Sequence, residues 1–226
     1  MKTIESKLVI LLFTVLLSTV TFAQNVSLPR VSQEASITQR LGLSDVTIKY
    51  HSPGVQGRKI FGNIVPYGQI WRAGANENTT IHFTHDATVE GKKIGAGTYG
   101  LYVMPKEGSA IILFSKYNKA WGSNVPDEKD LVLMVTVKSE TIPFQEWLSY
   151  DFTDRGATNL TAVLQWETTR IPFKIEFNTK EIIVDNFRQE LKGLAGFGWR
   201  GHMQAANYCL QNDINLEEAM TWIENL

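Results

Sequence analysis

Between residues 33 and 177 the chain is a succession of short segments in which apolar and polar residues alternate. Nothing between them has the length or period of a helix. Alternation of this kind belongs to strands that turn one face to a core and the other to water. Val46-Thr47-Ile48-Lys49-Tyr50 and Thr79-Thr80-Ile81-His82-Phe83-Thr84 are the clearest cases. Residues 87–94 read as a hairpin around Gly91, and Gly95-Ala96-Gly97 leads into the strand 98–104, which Pro105 and Gly108 end. Further strands are expected at 110–114, 131–137, 148–152, 159–166 and 171–177. A parallel sheet would need helical crossovers, for which there is no room. The expected fold is therefore mainly β: an antiparallel β-sandwich, jelly-roll-like, of roughly 140 residues, large enough to bury its own core.

At Asn178 the period changes. Residues 181–191, 199–211 and 215–226 carry helical patterns, with Gly193, Gly196 and Gly198 between the first two. Asn215 stands where a cap belongs, and Glu217 and Glu218 follow in the first turn, where the helix dipole favours acid. Ile214 before the cap and Ala219 inside the helix fit a hydrophobic staple. The last two helices are expected to form an αα-hairpin through Tyr208, Leu210, Leu216, Ala219, Met220 and Ile223. This short α-helical C-terminal hairpin, within a tail of residues 178–226, resembles a single tetratricopeptide-type unit.

The chain begins with an export pattern. Lys2 and Lys7 precede an apolar run at 8–17, and Thr21-Phe22-Ala23 offers small residues at the two positions a signal peptidase reads. Residues 1–23 are expected to be a cleaved signal peptide rather than an anchor, since spanning a bilayer takes about 20 apolar residues. The expected destination is periplasmic or extracellular, with no transmembrane segment after cleavage. Losing Lys2, Lys7 and Glu5 takes the formal charge from −1 to −2. So weak a charge excludes an electrostatic nucleic-acid binder. The single cysteine, Cys209, excludes an internal disulfide framework, and its apolar surroundings suit a buried small hydrophobe.

The densest run of unusual residues is Ser52-Pro53-Gly54-Val55-Gln56-Gly57-Arg58-Lys59-Ile60-Phe61-Gly62. It continues through Ile64-Val65-Pro66-Tyr67-Gly68-Gln69-Ile70-Trp71-Arg72-Ala73-Gly74-Ala75-Asn76-Glu77. With Ala96-Gly97-Thr98-Tyr99, Trp121-Gly122 and the closing segment 166–177, this run resembles a family of exported bacterial proteins known only as domain of unknown function 2911. The likeness spans about residues 33–177. It implies an exported bacterial protein, and it supplies no activity, cofactor or catalytic residue. In one departure, Met134 stands where such proteins would carry a basic residue.

The run itself gathers Arg58, Lys59 and Arg72, with Trp71 beside them and Asn76 and Glu77 close behind. Arginines grip carboxylates and phosphates bidentately, and an indole stacks on rings. Arg58, Trp71, Arg72, Asn76 and Glu77 are thus the candidate ligand-binding residues. The competing expectation is structural: an Arg72–Glu77 pair ties down a glycine-rich loop with Trp71 as its plug. Trp121, Trp147, Trp166, Tyr99 and Tyr102 would line a carbohydrate face or, more commonly, pack in a core. His82 and His85, three apart on a strand, fall on opposite faces, although His51 would approach one of them. No metal-ligand motif, nucleophile elbow or phosphate loop is present, and no catalytic residue, metal or cofactor is expected.

The leading expectation is an exported non-catalytic binding module for a small polar ligand or a protein partner. One alternative is an envelope or extracellular hydrolase of glycans or peptides, using a pair among the scattered carboxylates. Another is a structural scaffold that recruits a partner through the helical tail.

Overall fold

Val46, Ile48 and Tyr50 alternate with Thr47 and Lys49, and the pleat turns the first three into a core. The same rule repeats along a computed structural model that describes residues 28–224. The expected signal segment, residues 1–23, lies outside the described residues. The chain divides into two compact units, Met1–Arg30 and Val31–Leu226. Of the first, residues 28–30 are described, exposed and without regular secondary structure.

The second unit contains ten strands: β1 (Gln33–Leu41), β2 (Ser44–Ser52), β3 (Thr80–Phe83), β4 (Ala87–Val89), β5 (Lys92–Ile94), β6 (Gly97–Lys106), β7 (Ser109–Ser115), β8 (Leu131–Lys138), β9 (Glu140–Thr153) and β10 (Asn159–Phe177). They form two antiparallel sheets, in the orders β1-β2-β3-β6-β7-β8 and β5-β4-β10-β9. The chain passes from the first sheet to the second after β3, returns after β5 and leaves again after β8. One core joins them, with Ile48, Ile81, Leu101 and Phe114 from the first sheet against Leu148, Leu164, Phe173 and Ile175 from the second. This is the expected antiparallel sandwich.

Two expected strands, 159–166 and 171–177, are one strand of 19 residues. The positions that join the sandwich core run Leu160, Ala162, Leu164, Trp166, then Ile171, Phe173, Ile175, Phe177. The inward phase changes from even to odd numbers. The switch falls at Glu167, whose φ is +56°, and where the register against β9 shifts on both sides. An irregularity of this kind re-aims every side chain beyond it.

The first sheet is buried on parts of both faces. Tyr102, Leu113 and Ala120 form a second cluster on its outer side. The Tyr102 hydroxyl donates to Asn78 Oδ1 at 2.6 Å, and burial pushes its pKa up to about 12. Gly100 lies under this layer. A Cβ there would collide with the Tyr117 carbonyl oxygen and crowd Asn78 and Tyr102.

The tail folds into α1 (Thr179–Glu190), α2 (Trp199–Asn212) and α3 (Leu216–Glu224), with a 3-10 turn at Leu194–Phe197. Val184, Ala206, Cys209, Ile214 and Ala219 make its core, and Phe187 sets its ring edge-on to Tyr208 and Trp222. Cys209 is a buried free thiol. Ile182 packs on the sandwich core. Three of the expected hairpin contacts are corrected: Leu210, Leu216 and Met220 are exposed. Helix α1 supplies Val184 and Phe187 to the inner face instead, which leaves those three on the outside. Asn215 sits at the start of α3 with φ +49°, and its side-chain amide donates to Glu218 Oε2 at 2.9 Å. Arg188 of α1 grips the same carboxylate through Nε and Nη2, at 2.9 and 2.6 Å.

Two predictions follow from this packing. Gly100→Ala is expected to cost about 2–3 kcal/mol in urea unfolding, because the backbone oxygen above it cannot move aside as a side chain can. The second concerns pH. The Arg188 guanidinium, helped by Asn215, holds the Glu218 carboxyl below its ordinary 4.5, against a smaller opposing effect of burial. That stabilisation is full above pH 4.5 and disappears as pH falls through the lowered value. Fluorescence of Trp222 in an acid titration is expected to show the tail loosening there, a step that Glu218→Gln removes.

Candidate functional site

The connection from residue 53 to residue 79 is too long for a turn, and although Val55, Ile60, Phe61, Val65 and Ala73 join the core, its backbone needs partners from elsewhere. It finds them on both sheets. Val55 N donates to the Glu146 carbonyl on β9 at 2.8 Å, and Leu148 N to the Pro53 carbonyl at 3.0 Å. Trp71 and Val103 of β6 exchange both backbone bonds at 2.9 Å, and Gly68 N reaches the Pro105 carbonyl at 2.8 Å. The connection is thereby laced across the edge of the sandwich.

Its anchor is Trp71. The indole stacks on that of Trp166 with centroids 5.8 Å apart and planes 19° from parallel, and Phe61 sets an edge against both. Trp71 Nε1 donates to the Gly74 carbonyl at 3.1 Å, which closes the next turn. Within that turn Ala73 is fully buried and held at φ +55°, a conformation costly for a residue with a Cβ. Two buried hydroxyls hold it there. Thr79 Oγ1 and Tyr150 Oη both donate to the Ala73 carbonyl, at 3.0 and 2.9 Å. Burial raises the Tyr150 phenol well above its ordinary pKa, so it remains a donor. Gly74 admits no Cβ, which would strike Thr79 Oγ1 and crowd the His51 carbonyl.

Beside this anchor lies a cleft of about 840 Å³. Its walls include Ile64, Val65, Ile70 and Val125 on the apolar side and Gln56, Gln69, Ser123 and Asn124 on the polar side. Among the described residues its charged lining is Arg58 and Arg72, with no carboxylate. Arg58 is spent on the backbone: Nε and Nη2 donate to the carbonyls of Val55 and Gly54 at 3.0 and 2.7 Å. Arg72 is different. It is half-buried, burial lowers its pKa, and its Nε has no hydrogen-bond partner among the described residues. Trp166 Nε1, in the same lining, is a second buried donor without an acceptor. A buried donor left unpaired costs about 1–3 kcal/mol.

Of the five candidate residues, Arg58, Trp71 and Arg72 come together in this cleft, while Asn76 and Glu77 are not in its lining. Asn76 Nδ2 donates to the Ser32 carbonyl at 3.2 Å. Glu77 lies 3.3 Å from His51 Nε2, so the expected Arg72–Glu77 pair gives way to Glu77–His51. The reason is the left-handed backbone at Ala73 and Asn76, which turns the chain between the two charges. His51 does not approach the other histidines. His82 stands across from Thr47 on β2, four residues and roughly 13 Å along the strand from His51. Tyr99, Tyr102 and Trp166 are buried, and Trp121 and Trp147 are exposed. Trp147 pairs with Gly54, and Trp121 precedes Gly122, both glycines lining the cleft. From the sequence Trp166 reads only as an aromatic for a carbohydrate face or a core, and sequence reasoning missed Tyr150 and Thr79 as parts of this site. They lie outside the motif run, and only a strand register brings them to it.

A family model described as "Protein of unknown function (DUF2911)" matches residues 32–175. No curated protein and no solved structure was found to match the chain.

Tyr150→Phe and Thr79→Val are each expected to cost about 1–2 kcal/mol in thermal unfolding. Because both hydroxyls serve one carbonyl, the double variant is expected to depart from additivity.

Proposed function

The chain belongs to the DUF2911 family of proteins of unknown function, and we propose that this member is an exported, non-catalytic binding module whose cleft takes a small ligand bearing a carboxylate or phosphate. The reading of export rests on the N-terminal pattern at residues 1–23. The reading of the ligand rests on one observation above all: Arg72 lines the cleft half-buried, with no anionic partner among the described residues. A folded chain does not gain stability from such a cation, since desolvation is unfavourable and nothing offsets it. An oxyanion would offset it through charge-assisted bonds to a planar fork. The unpaired Trp166 Nε1 in the same wall is a further donor looking for an acceptor. Ile64, Val65, Ile70 and Val125 suit an apolar portion of the same ligand. The carboxylate-free lining offers no pair of acids to hydrolyse a glycoside within it.

The experiment compares the parent with Arg72→Leu in a thermal-shift panel of inorganic phosphate, sugar phosphates, uronates and di- and tricarboxylates. A ligand at a hundred times its Kd adds about 2.7 kcal/mol to the parent. Arg72→Leu is expected to abolish that gain and to leave the unliganded chain as stable or more stable. A ligand-free loss of more than about 1 kcal/mol would instead make Arg72 a structural residue and remove the basis of the reading.

A further inference from the structure

We propose that the turn between α1 and α2 is a docking surface for an anionic lipid membrane. Within six residues this turn exposes three large apolar side chains: Leu194 at 89%, Phe197 at 88% and Trp199 at 59%. Soluble surfaces scatter such residues singly, and a cluster of them marks an interaction site. The turn is also built rather than loose. Gly196 N donates to the Gly193 carbonyl at 3.0 Å. A Cβ at Gly196 would collide with the Leu191 carbonyl oxygen, and one at Gly201 with the Ala195 carbonyl oxygen. Backbone this close-packed holds Leu194 and Phe197 outward.

Charge identifies the occupant. Between Glu190 and Asp213 the chain carries Lys192, Arg200 and His202 and no carboxylate. Lys192 and Arg200 are exposed at either side of the apolar cluster, and the Arg200 guanidinium lies 5.8 Å from the centre of the Trp199 ring. Buried apolar tips, an amphipathic indole at the boundary and cations level with the headgroups form the pattern of an interfacial anchor. The acids of the tail, among them Asp185, Asp213, Glu217 and Glu218, lie on other segments. A protein partner fits less well. Three such side chains would bury on the order of 500 Å², short of the roughly 800 Å² per partner of a stable interface.

The test places an environment-sensitive fluorophore on Gly198→Cys in the full chain. Gly198 has open space around it and an extended backbone, and Cys209 is buried and stays unlabelled. Vesicles of phosphatidylglycerol and phosphatidylcholine are expected to shift the emission to the blue, and pure phosphatidylcholine to do so weakly. Lys192→Gln and Arg200→Gln are each expected to weaken the response roughly fivefold. Leu194→Ser with Phe197→Ser is expected to abolish it while circular dichroism stays that of the parent. No shift with the anionic vesicles would overturn the proposal. So would an equal shift with both lipids that the glutamine variants leave unchanged. A shift that grows with protein concentration in the absence of lipid would assign the turn to self-association instead.

Discussion

The stacking of Trp71 on Trp166 holds the long connection of residues 53–79 to the sandwich. Val55, Ile60, Phe61 and Val65 also sink into the core, and backbone bonds tie the segment 53–79 to both sheets. The stack gives the segment a side-chain root between β6 and β10, and Phe61 closes the root from the edge. The part of the cleft wall at residues 71–74 takes its position from this root. Gly74 is held by the indole nitrogen, and Ala73 by two buried hydroxyls. Arg72 lies between Trp71 and Ala73, the stacked indole and the residue under the two hydroxyls. Its backbone is therefore fixed on either side, and among the described residues no ion pair holds its guanidinium.

That arrangement explains why the cleft divides its two arginines so unevenly. Arg58 satisfies carbonyls in its own turn and so stabilises the wall it stands in. Arg72 leaves its buried Nε without a partner among the described residues, and burial disfavours its charge. The left-handed Ala73 beside this half-buried cation is costly backbone placed next to costly charge.

The sequence made the strands legible because alternation is a local property. Val46-Thr47-Ile48-Lys49-Tyr50 announces its two faces without any knowledge of the partner strand. The helices of the tail were legible for the same reason. What stayed hidden depends on pairing. Residues 159–177 read as two strands because the alternation breaks at Glu167, and a break in phase looks like an end when it is a bulge. The hairpin contacts of Leu210, Leu216 and Met220 were misplaced because the inner face is chosen by α1, more than 20 residues away. At the site, Arg58, Trp71 and Arg72 were visible as a dense motif run. The pairing of Glu77 with His51, and the hydroxyls of Tyr150 and Thr79 under Ala73, could be known only once the chain had folded over itself.

The break at Glu167 bears on what lengths this chain tolerates. Upstream of it even-numbered residues of β10 face the core, and downstream odd-numbered ones do. The irregularity is thus a one-residue offset built into the longest strand. Loss or gain of a single codon between residues 167 and 170 would undo that offset. Phe173, Ile175 and Phe177 would turn to water together, while Lys174 and Glu176 turned inward. Surface loops elsewhere in such a fold absorb insertions with little effect. Here the reading frame of the pleat, and with it the permitted length of the gene, is set by one left-handed residue beside the cleft.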